Sequence, residues 1–215
     1  MVKKMKTMKR DCCFNDLQKE QRALELLSSF ASTINNIKIN QGFSLAVNAL
    51  IQVKGKVITT GMGKAGIAMR KFSSTLCSLG FPSCYLHPGE ASHGDLGVIV
   101  NSDILFVAST SGKTREVLET IQLARNICVS KVIGITSHID SPIREKADIC
   151  LDMGIIKEAG DLGLAPTSSI LTMIAITDSL ALVASESIGL TKEQYGTYHH
   201  SGYLGAIARG DNFIY

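Results

Sequence analysis

Short apolar runs alternate with longer amphipathic segments along most of this chain. The runs have the unbroken apolar or β-branched character of strands that are buried on both faces of a parallel sheet. Five such strands are predicted, at residues 56–60, 83–86, 104–108, 132–136 and about 149–152. Apolar residues at helical spacing predict the helices that lie around them. These helices are predicted at residues 16–36, 41–52, 61–79, around 117–124, just after 142, at 167–188 and in pieces over 192–209.

Strands that alternate with helices predict an α/β fold, with a parallel sheet covered by helices. Segment 167–188 is apolar nearly all round, so it should be buried on several sides. In a sheet of this kind, ligands bind at the carboxyl ends of the strands near the switch point. The loops expected at that edge are residues 60–66, 87–95, 109–116, 136–141 and 153–169.

The chain is organised around the hydroxyl-rich loop that follows the run 104–108. This loop reads Ser-Thr-Ser-Gly-Lys-Thr over residues 109–114 and leads into a helical pattern. Free amides and the positive end of the helix dipole make such a junction an anion site. Ser109, Ser111 and Thr114 add hydroxyl donors, and Gly112 allows close approach of the backbone. The loop therefore predicts a phosphate site, and the alternative is that its hydroxyls only cap the helix.

A glycine pattern after the first strand also matches the spacing of the dinucleotide fingerprint, as Gly61-x-Gly63-x-x-Gly66. A nicotinamide site needs an acidic residue at the end of the next strand, and that strand ends in Tyr-Leu-His-Pro. A P-loop needs Ser or Thr where this chain has Ala65. Lys64 in this turn favours a small phosphorylated ligand, so the sequence predicts no nucleotide cofactor.

Length and charge narrow the class of protein further. A chain of 215 residues, 45% hydrophobic and 19% charged, is typical of one globular domain. Five basic residues lie within the first ten, and the rest of the chain carries 17 basic against 19 acidic residues. We expect a basic, flexible segment at 1–14, a single domain at 15–215 and no nucleic-acid binding. No secretory leader is recognisable and no apolar run approaches the length of a membrane span, so no membrane contact is expected.

The cysteine and histidine spacings predict no metal site. Four cysteines are expected to sit in apolar surroundings and to act as small hydrophobes; they are Cys77, Cys84, Cys128 and Cys150. Together with Cys12 and Cys13 they form no metal-type pair, which predicts reduced thiols and a cytoplasmic protein. His87 and His93 flank Glu90, but no spacing completes a third ligand.

Two further runs are distinctive, one at residues 87–97 (HPGEASHGDLG) and one at residues 157–169 (KEAGDLGLAPTSS). With Gly61-Met62-Gly63-Lys64 and the loop at 109–112, they resemble the sugar isomerase (SIS) domain of D-arabinose 5-phosphate isomerases, over about residues 40–209. The resemblance implies a doubly wound, five-stranded, flavodoxin-like sheet and a homotetramer without a cofactor. It implies interconversion of D-ribulose 5-phosphate and D-arabinose 5-phosphate, which supplies the acidic sugar Kdo for lipopolysaccharide or capsule. The alternatives are an isomerase of another phosphosugar and a non-catalytic regulator that binds a sugar phosphate.

The same resemblance assigns roles to residues of this chain. The implied catalytic residues are Lys64, Glu116, Glu158 and His199, with His93 as a further site histidine. The implied phosphate-binding residues are Ser109, Ser111, Gly112 and Thr114. The implied substrate-binding residues are Gly61, Gly63, Thr167 and Ser168. Either carboxylate fits the role of base, and the sequence does not choose between them.

Less specific interpretations remain open for several of these side chains. Glu116 would then only solvate its helix, Glu158 would pair with Lys157 at the surface, and Lys64 would cap a carbonyl. Asp178, within the apolar segment 167–188, is interpreted as a structural acid.

The chain also departs from the family pattern at three points. Lys113 follows Gly112 where Glu is usual, and residues 199–202 read His-His-Ser-Gly in place of His-Pro-Gly-Gly. The sequence ends at Tyr215 without the pair of regulatory repeats that many members carry. We therefore expect feedback by Kdo or its CMP-activated form to act in the active cleft.

Because His199 follows the last core helix, we also expect the segment 192–209 to reach a neighbouring subunit's site, with Tyr195, Tyr198 and Tyr203 at the subunit boundary.

Overall fold

The predicted strands form one all-parallel sheet in the computed structural model, which describes residues 14–210. The strands are β1 (Val57–Gly61), β2 (Ser83–Tyr85), β3 (Ile104–Ala108), β4 (Lys131–Thr136) and β5 (Ile149–Asp152). Their order in the sheet is β2-β1-β3-β4-β5, and every pair is parallel. The expected doubly wound α/β class is therefore confirmed. Cys12, Cys13 and nearly all of the predicted basic segment lie outside the described residues.

The predicted helices also form, within about two residues of their expected ends, and a four-residue helix forms in addition within the loop expected at 87–95. They are α1 (Asp16–Asn35), α2 (Gln41–Gln52), α3 (Gly63–Ser78), α4 (Pro88–Ala91), α5 (Arg115–Asn126), α6 (Pro142–Lys146), α7 (Ser168–Ser187), α8 (Lys192–Tyr198) and α9 (Gly202–Arg209). A short 3₁₀ helix, Asp95–Val98, follows α4. Asparagine side chains begin the first two helices, since Asn15 accepts from the Gln18 amide and Asn40 from the Gly42 amide.

The sheet separates two apolar cores. One core lies under α2, α3 and α7, and the other lies under α4, α5 and α6. All five residues of β3 are buried, as expected of a central strand covered on both faces. Phe106 of β3 meets Phe72 of α3 edge-on, with the ring centroids 4.9 Å apart. This packing fixes the carboxyl ends of β1 and β3, where the chain order of the sheet switches.

The expectation that no apolar run approaches the length of a membrane span is wrong for helix α7. Among residues 14–210, the Ser168–Ser187 helix alone is long and apolar enough to cross a bilayer, and 56% of its apolar window is buried inside the fold. It packs against α2 and α3, with Met173, Leu180 and Ala184 fully enclosed. Its length and composition are explained by this core position. Asp178 on its polar side pairs with Lys71 of α3, in agreement with a structural role.

Helix α1 forms as predicted, but its apolar stripe covers no part of this chain's core. None of its residues is buried, and Leu17 and Leu24 are 75% and 62% exposed. On α7, Leu182 and Val183 are exposed as well. These neighbouring helices therefore present leucine-rich surface to the outside of the chain.

The expectation that the cysteines sit in apolar surroundings is wrong for two of the four that the structure describes. Cys77 and Cys128 are exposed, whereas Cys84 and Cys150 are half-buried, and all four are free thiols. Cys128 has a φ of 62° because it occupies the left-handed turn that ends α5, and this turn directs it away from the core. Cys77 lies on the last turn of α3, with its thiol 3.2 Å from the Ser83 carbonyl oxygen. Local apolar sequence thus did not specify burial at either position.

Candidate active site

A cavity of about 350 Å³ opens at the carboxyl edge of the sheet, between the ends of β1 and β3. Five of the residues assigned by resemblance line it: Lys64, Ser109, Ser111, Thr114 and Glu158. They come from three separate segments of the chain, namely the start of α3, the loop after β3 and the loop before α7. This is the switch-point position at which doubly wound sheets bind ligands. Its volume is within the range of small-molecule sites.

The hydroxyls of the loop at 109–114 form a hydrogen-bonded cluster. The hydroxyl oxygens of Ser109 and Thr114 lie 2.7 Å apart, and those of Ser109 and Ser111 lie 3.5 Å apart. The Gly112 amide donates to the Ser109 hydroxyl oxygen over 3.0 Å. Thr114 is the N-cap of α5, yet its side chain makes no capping bond. The hydroxyls therefore face one another at a helix N-terminus, and the capping interpretation is not supported.

Gly112 gives this loop its shape. Its φ of +64° lies in the left-handed region, where a side chain is strained. A Cβ atom at this position would also fall 1.6 Å from the Ser141 hydroxyl oxygen and 2.5 Å from the Ser141 Cβ atom. The glycine is thus required twice, once by the backbone and once by the close approach of the loop that follows β4.

Tyr85 of β2 is hydrogen-bonded to the end of β1, next to the turn that carries Lys64. Its hydroxyl donates to the Gly61 carbonyl oxygen over 2.7 Å. Burial raises the pKa of Tyr85 despite the Arg70 guanidinium 4.4 Å from its ring centre, so the hydroxyl remains a donor. Gly63, with a φ of +60°, then turns the chain into α3 and brings Lys64 to the cavity. Within residues 14–210 the Lys64 ammonium has no hydrogen-bond or ion-pair partner, so the carbonyl-capping alternative is not supported.

Glu158 lies in the loop between β5 and α7 and is held by the N-terminus of α7. One of its oxygens accepts from the Thr167 amide over 2.8 Å and from the Ser169 amide over 3.3 Å. The positive end of the helix dipole favours a negative charge there. The predicted alternative, a surface pair with Lys157, is replaced by this capping role. A second cavity, of about 470 Å³ between α1 and residues 153–160, is also lined by Glu158.

The other assigned residues do not line the cavity. Gly61 and Gly63 shape the β1 edge, Gly112 shapes the hydroxyl loop, and Thr167 and Ser168 form the start of α7. Glu116 is half-buried in the first turn of α5, directly beyond the loop. His93 is exposed in the turn between α4 and the 3₁₀ helix. The roles of these residues stay predictions.

His199 is not brought to this cavity by its own chain. It lies between α8 and α9, stacked on the Tyr195 ring at a centroid distance of 4.1 Å. Its Nε2 atom is 3.2 Å from the Tyr195 hydroxyl, and its buried Nδ1 atom has no partner among the described residues. The site that one chain forms therefore contains the anion loop, an ammonium and a carboxylate, but not this imidazole.

The cavity has further lining residues that were not assigned from the sequence, namely Met62, Ala65, Thr110, His138, Pro166, Ser169 and Ile170. His138 belongs to the loop at 136–141, which the strand order had placed at the ligand edge. From the sequence, only its position after β4 indicates that His138 belongs to the site, because no motif marks the residue itself. Among residues 14–210, no three His, Cys, Asp or Glu side chains are arranged to hold a metal ion.

Comparison with known proteins is consistent with this site. Residues 49–183 match the SIS domain family. The chain is 40% identical over 167 residues to the arabinose 5-phosphate isomerase KdsD of Escherichia coli K12, covering 78% of this chain. The aligned part covers 51% of that protein, so the chain spans about half the length of the curated relatives it matches.

Two solved structures have the same fold. A Bacteroides fragilis protein, provisionally named a phosphosugar isomerase involved in capsule formation, superposes with a TM-score of 0.83 at 40% identity, over 86% of this chain and 99% of that one. The c3406 protein of Escherichia coli CFT073, solved in complex with arabinose 5-phosphate, gives 0.82 at 29% identity, over 86% and 100%. With its switch-point cavity, its hydroxyl loop and these relatives, the chain belongs to the SIS domain family.

Proposed function

We propose that this chain is an aldose–ketose isomerase that interconverts D-ribulose 5-phosphate and D-arabinose 5-phosphate through an enediolate. The observation that carries the proposal is the convergence of the hydroxyl loop, Lys64 and Glu158 on one cavity at the switch point. The 40% identical KdsD relative is named for this reaction, and the c3406 neighbour binds arabinose 5-phosphate. Both support the choice of a pentose 5-phosphate over other phosphosugars.

The reaction needs an anchored phosphate, a group that carries a proton between C1 and C2, and stabilisation of the enediolate oxygen. The hydroxyls and amides of residues 109–114 anchor the phosphate at the N-terminus of α5. That anchor holds the sugar carbons within the same cavity as Lys64 and Glu158. No net oxidation takes place, so we propose that no redox cofactor takes part.

Glu158 is the stronger candidate for the base, because it lines the cavity and Glu116 does not. One of its oxygens is occupied by the α7 amides, which fix the carboxylate. The other oxygen takes the proton from one carbon and returns it to the next. Lys64, free of other partners among the described residues, stabilises the enediolate oxygen by its positive charge.

We further propose a homotetramer with shared sites. The exposed leucines of α1 and the exposed flank of α7 are apolar surfaces suited to subunit contact. His199, which its own chain keeps away from the cavity, would open the sugar ring or move the hydroxyl proton in a neighbour's site. Light scattering of the purified chain tests the assembly, and a monomer at micromolar concentration would contradict it.

The biological role follows from the substrate. Arabinose 5-phosphate feeds the synthesis of Kdo, so we assign the chain to lipopolysaccharide or capsule formation in the cytoplasm. The name of the Bacteroides fragilis neighbour favours a part in capsule. We also propose feedback by Kdo or CMP-Kdo in the active cleft. A thermal-shift titration in which neither compound stabilises the protein would contradict feedback at this site.

A panel of phosphosugars tests the assignment of the substrate. The purified chain should convert D-arabinose 5-phosphate to the ketose faster than it converts glucose 6-phosphate, and no added nucleotide should be needed. Tight binding of these sugars without any conversion would identify a phosphosugar sensor instead.

A further inference from the structure

One imidazole at the cavity is not used by the proposed mechanism. His138 follows β4 and lines the cavity beside Ser109, Thr110 and Ser111. The structure records no other histidine among the described lining residues. The side chain is exposed to solvent, so a ligand in the cavity can reach it.

The ring of His138 is held by one of its nitrogens. Its Nδ1 atom lies 3.1 Å from the Thr110 carbonyl oxygen and 3.0 Å from the Ser137 hydroxyl oxygen. A carbonyl oxygen can only accept, so Nδ1 carries a hydrogen. The other nitrogen, Nε2, has no hydrogen-bond partner within residues 14–210.

The Thr110 carbonyl is the centre of this anchorage. In addition to Nδ1, it accepts from the Ser137 amide and hydroxyl, each over 3.0 Å, and from the Thr136 hydroxyl over 3.2 Å. Arg144 also donates to the His138 carbonyl oxygen over 2.7 Å. The end of β4 is thus tied to the middle of the hydroxyl loop, and the imidazole is placed next to the loop with one nitrogen available.

The negative charge of a phosphate ligand suggests that Nε2 of His138 acts as a hydrogen-bond donor to it. A phosphate monoester carries close to two negative charges at neutral pH, whereas the side chains of Ser109, Ser111 and Thr114 are neutral. Lys113 of the same loop is exposed and does not line the cavity, and Lys64, which does line it, is assigned above to the enediolate oxygen. Arg144 is engaged with Asp152 over 2.8 Å. An imidazole that carries a hydrogen on each nitrogen donates from both, so it can bond the Thr110 carbonyl and a phosphate oxygen at the same time.

We propose that His138 is a further phosphate-binding residue, which donates from Nε2 to the phosphate oxygen of a sugar 5-phosphate while Nδ1 remains bonded to Thr110. The proposal rests on the proposed function, because it adds a residue to the same site. It makes His138 a determinant of affinity for the phosphorylated end of the substrate. It does not place His138 in the proton transfer at C1 and C2.

Two substitutions distinguish the role of Nδ1 from the role of Nε2. In His138→Asn, a short amide can still donate to the Thr110 carbonyl but cannot reach the phosphate. In His138→Gln, a longer amide places a donor near the position of Nε2. The Ser137→Ala variant is the matched control, since it removes the hydroxyl that contacts both Thr110 and Nδ1 but leaves the imidazole and its hydrogen bond to the Thr110 carbonyl.

Calorimetric titration of each full-length variant with inorganic phosphate and with arabinose 5-phosphate tests the proposal. We expect His138→Asn to weaken binding of both ligands roughly 10- to 100-fold, as for loss of one charge-assisted hydrogen bond. Its KM should rise by the same factor, with kcat within about twofold of wild type. His138→Gln should recover most of the affinity, and Ser137→Ala should bind like wild type.

Wild-type affinity in His138→Asn would overturn the inference. So would the reverse order, in which Asn restores binding and Gln does not, because the ring would then only anchor the loop. The binding titration also separates this inference from the proposed function. Weakened phosphate binding in a protein that isomerises nothing would contradict the function alone, and normal isomerisation by an unaffected His138→Asn variant would contradict the inference alone.

Discussion

The hydroxyl loop and the C-terminal segment carry two parts of the proposed site and differ in how far one chain completes them. In the loop at 109–114, the hydroxyls bond to one another and Gly112 fits closely against Ser141. In the segment 192–209, α8 and α9 pack mainly on each other, and His199 keeps a buried nitrogen without a partner among the described residues. Tyr198, Tyr203, Leu204 and Ile207 of this segment are exposed.

This contrast indicates that phosphate binding needs only one chain, whereas a complete active site needs a second one. The proposed phosphate anchor is formed within a single chain, so affinity for phosphate should not depend on assembly. The C-terminal segment has apolar surface and an imidazole that this chain's own cavity does not use. We infer that turnover depends on contact between subunits.

The largest effect is expected from Glu158→Gln. Glutamine keeps an oxygen that can accept from the Thr167 and Ser169 amides, so the fold should survive while the base is lost. We expect kcat to fall by about 10²- to 10⁴-fold, the usual contribution of a general base. Steady-state isomerisation of arabinose 5-phosphate measures it. Glu116→Gln is the matched comparison, and a greater loss of kcat in that variant would make Glu116 the base.

The next largest effect is expected from a mixing experiment, which tests directly whether the segment 192–209 completes a neighbour's site. His199→Ala and Glu158→Gln should each be nearly inactive, but co-expression of the two chains should restore activity at about one quarter of the sites. The fraction follows from random mixing in a symmetric oligomer in which one chain supplies the carboxylate and its neighbour the imidazole. Specific activity of the purified hybrid gives the answer. A hybrid no more active than either parent would place His199 outside any shared site.

Within the site, Gly112→Ala should disturb only the loop at 109–114. The left-handed backbone and the overlap with Ser141 together should destabilise the fold by about 2 to 4 kcal/mol and weaken phosphate binding. Urea unfolding and phosphate titration measure the two effects. Adding Ser141→Gly removes the overlapping atoms, so the double variant should recover part of the stability. Full stability in the single variant would show that the loop is not closely packed.

Asp103→Asn should lower stability without affecting the site, because Asp103 lies at the other end of β3. The carboxylate is 0% exposed and accepts from the Lys56 ammonium, the Lys56 amide and the Val100 amide, over 2.7, 2.8 and 2.9 Å. An asparagine cannot accept at both positions. We expect a loss of about 2 kcal/mol at pH 7 with KM unchanged within about twofold.

The same variant has a defined pH dependence. Burial opposes ionisation of Asp103, but the hydrogen bonds from Lys56 and Val100 outweigh it and lower its pKa. A lowered pKa in the folded state adds stability above the unfolded value, near 4, and that stability is lost as pH falls through the folded value. The difference between wild type and variant should therefore be constant near neutrality and shrink below about pH 4. A difference that grows with acidity would contradict the assignment.

The sequence predicted most of the fold because local pattern and tertiary position agree in this chain. The continuous apolar run at 104–108 is a strand covered on both faces, and the hydroxyl loop lies where the strand order put it. Local pattern was insufficient where position depends on a turn or on a distant segment. Cys128 is exposed because α5 ends in a left-handed turn, and His138 acquires its place from the Thr110 carbonyl, 28 residues earlier.

Incubation of the wild-type chain with D-arabinose 5-phosphate in deuterated water tests most directly whether a phosphate-anchored sugar exchanges its proton in this cavity. We expect deuterium at C2 of the recovered aldose and the appearance of ribulose 5-phosphate, with both lost in Glu158→Gln. Saturable binding of the sugar phosphate with neither deuterium exchange nor ketose formation would contradict the account.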